Sequence, residues 1–221
     1  MDSQITLVNP DPLVMLFSRD NIKGTELIRR RGGGILYKVV PDETLSSLKT
    51  SVYRADSDTP MAFIETKNLC GRDKITLRGG TRLNVAEWIS GYSILGSFPM
   101  TFNNNGRRYL WRKDKAQQLN VIDFLILRGI QTETPLKLYN DYDTENPIAT
   151  YERSKRRVID GGLKSFPASL TLNDEATEIQ DLIVISLLVV EGRIRGDFRP
   201  GSYRKSLSLW PDTIDIVASR G

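Results

Sequence analysis

The chain has 221 residues, of which 39% are hydrophobic and 26% are charged, proportions typical of a folded globular protein. It contains no histidine, which excludes Ser-His-Asp and Cys-His catalysis and every histidine-ligated metal centre. One cysteine excludes an intramolecular disulfide, and a net charge of +4 permits an anionic partner without requiring one.

Most of the chain has the pattern of short strands separated by turn residues rich in glycine, asparagine and aspartate. The predicted strands are Ile5–Val8, Val14–Ser18, Glu26–Arg30, Ile35–Val40, Thr50–Arg54, Met61–Thr66, Lys74–Leu77, Met100–Phe102, Arg108–Arg112, Val121–Leu127, Leu136–Tyr139, Ile148–Arg153, Val158–Ile159 and Ser169–Leu172. Asn105-Gly106 is the strongest hairpin signal, because both residues tolerate a positive φ. Asn84–Ile89 is predicted to form one helical turn.

Residues 173–195 break the strand pattern. Asn173 is a favourable helix N-cap, while Arg193 and Arg195 lie where cations complement a helix C-terminus. Residues 179–190 are apolar on every face, so a helix here would be buried on all sides. A buried strand remains the alternative, because β-branched residues are frequent in this stretch.

The predicted fold is mainly β: a closed or nearly closed antiparallel barrel of about twelve strands that encloses a hydrophobic helix over residues 174–195. The expected organisation is an N-terminal extension or first strand (1–12), one barrel domain (13–196) and a C-terminal tail (197–221). The apolar run 182–190 is too short to cross a membrane, which takes about 20 residues. The start of the sequence has no secretory signal pattern, which predicts an intracellular protein.

Four segments of the sequence carry a family resemblance. They are Leu13–Ser18 with Gly34–Val39, Phe102–Arg112, Leu138–Arg153 and Asp181–Glu191. Their order and spacing resemble a fungal, mainly basidiomycete, domain family of unknown function in the tubby C-terminal-like superfamily, with tubby proteins, phospholipid scramblases and plant LURP-one-related proteins. The resemblance implies the barrel with a central helix. By analogy with tubby proteins and scramblases it points to phosphoinositides and membranes, and it supplies no catalytic residues.

Three basic runs at predicted strand ends or loops are the candidate lipid-phosphate-binding residues. If two or three of them meet at one end of the barrel, they would form a phosphate-binding patch, which arginine suits through paired hydrogen bonds. The alternative is a set of solvated loops neutralised by nearby acids such as Asp114, Asp141 and Asp160. The runs are Arg29, Arg30 and Arg31; Arg107 and Arg108; and Lys155, Arg156 and Arg157.

These features predict a non-enzymatic intracellular binding module for phosphoinositides or other anionic phospholipid headgroups, cytoplasmic and peripheral at a membrane. The alternative is a protein-interaction or regulatory module without lipid affinity, and a third hypothesis is a histidine-free enzyme that uses carboxylates. Nucleic acid is disfavoured because no helix-turn-helix or stacked-aromatic pattern is present. The sequence predicts no cofactor and no metal site, and it does not indicate an oligomeric state.

One acidic segment matches part of a calcium-loop pattern. Asp141, Asp143, Glu145 and Glu152 occupy positions 1, 3, 5 and 12 of such a loop. Position 6 is Asn146 instead of glycine, position 7 is proline, and strands rather than helices flank the segment. An Asp/Asn-rich turn explains the same residues, so calcium remains only an alternative. The lone Cys70 is interpreted as a core or loop residue, with an activated thiol as the other possibility.

Overall fold

The computed structural model describes residues 11–43, 47–67, 72–91, 98–113, 134–159 and 162–195. Within these ranges the chain forms fifteen strands and three helices. The strands are β1 (Leu13–Phe17), β2 (Glu26–Arg29), β3 (Ile35–Glu43), β4 (Ser47–Arg54), β5 (Ala62–Lys67), β6 (Lys74–Leu77), β7 (Arg82–Asn84), β8 (Ile89–Ser90), β9 (Met100–Asn104), β10 (Arg107–Lys113), β11 (Leu136–Asn140), β12 (Ala149–Glu152), β13 (Lys155–Ile159), β14 (Gly162–Phe166) and β15 (Ser169–Leu172). The helices are α1 (Val85–Trp88), α2 (Asp174–Thr177) and α3 (Gln180–Arg195).

Thirteen strands form one antiparallel sheet, which confirms the prediction of a mainly β fold. Their order is β7-β6-β5-β4-β3-β2-β1-β15-β12-β11-β10-β9-β8. The sheet is not closed: in the described part of the chain, its edge strands β7 and β8 are not paired with each other. These edges are short and are joined directly by the four-residue helix α1, which occupies the chain between them. The remaining strands, β13 and β14, form a separate two-stranded sheet.

Helix α3 contacts strands from both halves of the large sheet. Asp181 in its first turn accepts a hydrogen bond from Arg54 of β4, and Ser186 accepts one from Trp111 of β10. Strands β4 and β10 are seven positions apart in the sheet order. A flat sheet would separate them by about 34 Å, whereas a helix is only about 10 Å wide. The sheet is therefore strongly curved on the side that faces α3.

The core is explained by the pattern of apolar residues in the strands and in α3. In β1, β11, β12 and β15 buried residues alternate with more exposed ones, as with Met15 and Phe17 of β1 and Leu136 and Leu138 of β11. In α3 every residue from position 183 to 192 is buried, which is why the sequence there has no polar stripe. The sheet and the helix are also joined by a buried hydrogen bond, in which the indole Nε1 of Trp111 donates to Ser186 Oγ at 3.0 Å. The core is thus built between one face of the sheet and all sides of one helix.

Local turn chemistry places several elements where the sequence predicts them. β6 and β15 have the predicted bounds, and α1 lies within the predicted helical turn. The hairpin between β9 and β10 is confirmed, with φ of 49° at Asn105 and 80° at Gly106. Positive φ at both central residues is the geometry of a type I′ turn, whose twist matches that of the flanking strands.

Other elements differ from the predictions. Residues 173–195 form two helices: α2, capped by Asn173, whose side chain accepts from the Ala176 amide, and then α3. The strands β7, β8 and β14 are not predicted, because β7 and β8 are too short to show a period and β14 begins at a glycine. The predicted strands Ile5–Val8 and Val121–Leu127 lie outside the described residues.

Gly91, which follows the edge strand β8, is expected to be intolerant of any side chain. Its φ is +81°, and a Cβ atom would lie 2.6 Å from the carbonyl oxygen of Pro99. Left-handed backbone alone costs an alanine about 1–2 kcal/mol. Gly91→Ala should therefore lower the free energy of unfolding by more than that amount, measured by denaturant titration. Gly106→Ala is the matched control, because its φ is +80° but nothing lies within 4 Å of the added atom. Equal losses in the two variants would contradict the backbone clash.

Candidate functional site

One of the three basic runs lies at the end of the sheet where the helices begin. β15 ends there at Leu172, which is paired in register with Leu13 of β1. The run Arg29–Arg31 returns to the same end, because the Arg30 amide donates to the carbonyl oxygen of Val14 at 2.9 Å. All three arginines of this run are exposed.

The second run lies at the same end but not beside the first. Arg107 and Arg108 are exposed and begin strand β10, rather than lying in a loop. The amide of Asp141 donates to the Arg108 carbonyl oxygen at 3.0 Å, and the neighbouring Asn140 donates to Glu175, just after α2 begins, at 2.7 Å. Four strands separate β2 from β10 in the sheet, so the two runs occupy different parts of the rim.

Acidic residues accompany both of these runs. Arg31 forms an exposed ion pair with Asp11. The hydroxyl of Tyr142 donates to Glu175, and this hydrogen bond raises the pKa of Tyr142, while the charge of Arg107 opposes the shift. Exposed pairs of this kind contribute little to stability. They do reduce the net positive potential at this end, in agreement with the neutralised-loop alternative.

The third run, Lys155–Arg157, is at the opposite end of the sheet. β12 crosses the sheet from Ala149, which pairs with Leu172, to Glu152, which pairs with Ser169. The third run begins three residues after Glu152, at this opposite end, and therefore does not join the other two. The three basic runs do not form a single patch, because β12 carries the chain from one end of the sheet to the other.

The third run forms part of a hairpin rather than a loop. β13 and β14 pair with each other from Lys155–Phe166 to Ile159–Gly162, and in the described part of the chain neither pairs with the large sheet. The register sets Arg156 opposite Ser165 and Arg157 opposite Lys164. Lys155 forms an ion pair with Glu152, whereas the side chain of Arg157 is outside the described part of the structure.

The base of this hairpin is fixed by a buried ionic cluster. Glu191 of α3 is completely buried, and its carboxylate accepts two hydrogen bonds from Arg153, from Nε at 2.6 Å and from Nη2 at 3.0 Å. Arg195, one helical turn later, also donates to Glu191 and reaches Asp20 at 3.1 Å. Tyr151 of β12 completes the cluster by accepting from Arg195 at 3.2 Å. Arg153 is thus held rigidly two residues before β13 begins.

The cluster keeps its groups in definite charge states. Burial, together with the charge of Glu191, raises the pKa of Tyr151, so its hydroxyl stays neutral. Burial disfavours the charged form of Arg195, but Tyr151, Glu191 and Asp20 outweigh it and raise the pKa of this guanidinium. The arrangement holds two cations against one buried carboxylate, and it is suited to fixing geometry rather than to proton transfer.

A second polar cluster lies at the other end of α3. Asp181 accepts from the hydroxyl of Tyr37 at 2.7 Å and from Arg54 Nε at 2.9 Å. Gln180 donates to the same Tyr37 oxygen at 2.7 Å. Burial and the hydrogen bond to Asp181 raise the pKa of Tyr37, and the hydrogen bond to Asp181 raises that of Arg54. This cluster ties the start of α3 to strands β3 and β4.

The acidic segment that partly matches a calcium loop makes hydrogen bonds within itself. One carboxylate oxygen of Asp143 accepts from the amides of Glu145 and Asn146, each at 3.0 Å, and the other accepts from the Asn146 side chain at 2.9 Å. The hydrogen bonds from the Asn146 amide, then from the Asn146 side chain and then from the Glu145 amide lower the pKa of Asp143. They are the contacts of an Asx turn, in agreement with the turn interpretation. Cys70 lies outside the described residues.

The sequence interpretation missed the residues that hold both ends of α3. Asp181 and Glu191 attract attention only as charges that border an apolar run, and Arg54, Arg153 and Arg195 lie far from at least one of their partners in the chain. A charged residue inside a helix that is apolar on every face is a usable signal, because such a charge needs a partner when it is buried. The identity of that partner depends on the order of the strands in the sheet, and a charged residue in an apolar stretch of sequence does not reveal that order.

Comparison with known proteins gives one match. The model of a family of unknown function, DUF6593, matches residues 20–196. No curated protein and no solved structure matches the chain. Among the described residues, none of the helices combines the length and the apolar character that a membrane crossing needs. Because the family match extends over most of the sequence, the chain belongs to DUF6593, a family of unknown function.

Proposed function

We propose that this protein is a non-enzymatic binding module that engages anionic lipid headgroups at a membrane surface through the β13–β14 hairpin. The observation that carries the proposal is the charge of this hairpin and its base. Residues 153–166 contain five cations and one acid. This excess of four positive charges equals the net charge of +4 of the whole chain. Positive charge is thus concentrated on one element that is separate from the large sheet.

The hairpin has the composition that membrane-surface segments use. Each lysine or arginine near an anionic membrane contributes about 1 kcal/mol of attraction. The sequence at the turn adds Val158, Ile159 and Leu163, and apolar residues beside a basic cluster strengthen interfacial binding. The backbone register places Arg157 opposite Lys164, so the two strands of the hairpin both carry basic residues.

The basic runs at the other end of α3 are not part of the proposed surface. A helix of sixteen residues is about 24 Å long, which exceeds the Debye length of about 8 Å at physiological ionic strength. A flat bilayer at the hairpin would therefore interact weakly with Arg29–Arg31 or Arg107–Arg108. These two runs provide control variants of similar charge.

The proposal also covers the superfamily of the fold, the position of α3 and the location of the protein. We infer a tubby-like domain over residues 13–196, with α3 on the axis of the curved sheet, followed by a tail at 197–221, in an intracellular fungal protein that is peripheral at a membrane. The contacts of α3 with β3 and β4 on one side and with β10 and β12 on the other support the axial position. Membership of the tubby superfamily rests on the resemblance of the sequence segments.

Vesicle sedimentation tests the lipid-binding proposal. The probes are vesicles of phosphatidylcholine alone and of phosphatidylcholine with phosphatidylserine or with a phosphoinositide. The protein should bind the anionic vesicles and lose that binding at high salt. Replacing Arg156, Arg157 and Lys164 with glutamine should weaken the partition by on the order of 100-fold, since three attractions are removed.

The control replaces Arg30, Arg31 and Arg107 with glutamine and should leave vesicle binding almost unchanged. Circular dichroism should show that both triple variants are folded. If the wild-type protein fails to bind anionic vesicles at low salt, the lipid proposal is wrong and a protein-interaction module is favoured. If both triple variants lose binding equally, the hairpin is not the binding surface.

A further inference from the structure

A cleft of about 480 Å³ lies at the start of α3, at the far end of the helix from the hairpin. It is bordered by the turn after β4, the turn between β6 and β7, the end of β9 and the first turns of α3. The cleft lies at the seam where, in the described part of the chain, the β6–β7 side of the sheet and the β9 side are not paired. Because the sheet is open at this seam, a ligand could contact the side of α3 there.

Five of the fourteen residues that line the cleft are apolar. Ile179, Leu182 and Ile185 are spaced three residues apart, so they share one side of the helix start. Leu77 and Met61 lie on the opposite wall. Ile179, Leu182 and Leu77 are only partly buried, so they leave apolar surface in contact with solvent. A cleft of this volume, with apolar residues beside polar ones, is of the size that small organic ligands use.

Most polar groups on the walls already have partners within the protein. Arg54 and Asp181 bind each other at 2.9 Å, and Gln180 donates to Tyr37. In contrast, the exposed guanidinium of Arg78 makes no side-chain hydrogen bond or ion pair within the described residues. Arg78 is therefore the cation at this site that is available to a ligand.

The charge balance limits the kind of anion that would fit. Two carboxylates, Glu178 and Asp181, line the cleft together with two guanidiniums, Arg54 and Arg78. Since Asp181 is neutralised by Arg54, the remaining pair is Arg78 and Glu178. Because these four charges sum to zero, a ligand with one negative charge leaves the cleft with a net charge of −1, whereas a phosphate dianion leaves it with −2, which costs more to bury. A carboxylate also matches the fork of a single guanidinium.

We propose that this cleft binds a medium-chain fatty carboxylate, with its carboxylate on Arg78 and its alkyl chain against Leu77, Ile179 and Leu182. The site is separate from the hairpin proposed to bind membranes, because the two lie at opposite ends of α3. The failure of either proposal therefore leaves the other standing.

Isothermal titration with three probes tests the ligand class. Decanoate should bind saturably with one site per chain. Hexanoate should bind more weakly, since each methylene that is buried contributes up to about fourfold in affinity. Decanol, which keeps the chain and lacks the charge, should bind at least tenfold more weakly than decanoate. Equal affinities for decanol and decanoate, or an absence of saturable binding by decanoate, would overturn the proposal.

Two variants of opposite sign test the role of Arg78. Arg78→Gln should weaken decanoate binding by about tenfold or more and leave decanol binding unchanged, because charge-assisted hydrogen bonds are lost. Glu178→Gln should strengthen decanoate binding, since it removes the opposing charge. Arg30→Gln is the matched control, because Arg30 is exposed and does not line the cleft. If Arg78→Gln has no more effect than Arg30→Gln, the carboxylate does not bind at Arg78.

Discussion

Val184→Asp is expected to abolish the cooperative unfolding transition of this protein. Val184 lies in α3 with no exposed surface, and its neighbours in the helix are also buried. An unpaired carboxylate in such a position costs several kcal/mol. The total stability of a domain is typically about 5–15 kcal/mol, so one such charge consumes much of it. Thermal denaturation followed by circular dichroism measures the effect.

A second valine-to-aspartate variant separates the effect of burying the new charge from the effect of introducing an aspartate. Val40 of β3 is 48% exposed, and Val40→Asp introduces the same charge where water can solvate it. The expected loss there is about 1 kcal/mol or less, which reflects the poor strand propensity of aspartate. If Val184→Asp unfolds at nearly the temperature of Val40→Asp, α3 is not the buried centre of the fold.

The elements set by local chemistry are the ones that the sequence predicts well. The turn at Asn105-Gly106 needs two positive φ angles, and these residue types tolerate them. The alternation that buries Leu136 and Leu138 can be counted directly along the strand. In both cases the deciding interaction lies within a few residues of the chain, so no knowledge of the fold is needed.

The elements set by distant pairing are the ones that sequence patterns miss. β7 and β8 have three and two residues, and they exist as strands only because β6 and β9 pair with them. The open seam between them depends on the order of all thirteen strands. Residue periods fix which face of a strand is buried but do not determine its neighbour.

The same division applies to the candidate binding residues. Arg29–Arg31, Arg107–Arg108 and Lys155–Arg157 stand out in the sequence as basic runs. Whether they meet depends on the number of times the chain crosses the sheet between them. β12 carries the third run to the opposite end, so a patch of three runs is impossible in this topology. Arg78, in contrast, is a single arginine in a turn. It becomes a candidate binding residue only because the structure places it beside the cleft.

Replacing Glu191 with alanine is expected to lower the free energy of unfolding by about 3–5 kcal/mol, because Arg153 and Arg195 then remain partly buried without their carboxylate. For a chain of this length that loss corresponds to a fall of about 10 °C in the unfolding temperature. Glu152→Ala is the matched control. Glu152 pairs with Lys155 at the surface, where a salt bridge contributes only about 0–1 kcal/mol.

A further variant distinguishes the loss of a favourable ion pair from the cost of unpaired charges. Combining Glu191→Leu with Arg153→Met and Arg195→Met removes all three charges and keeps the volume apolar. If the penalty arises from uncompensated charge, this triple variant should be more stable than Glu191→Ala, since an apolar replacement of a buried ion cluster is often neutral or stabilising. If the triple variant is the less stable of the two, the hydrogen bonds to Asp20 and Tyr151 are themselves required to join the end of α3 to the sheet.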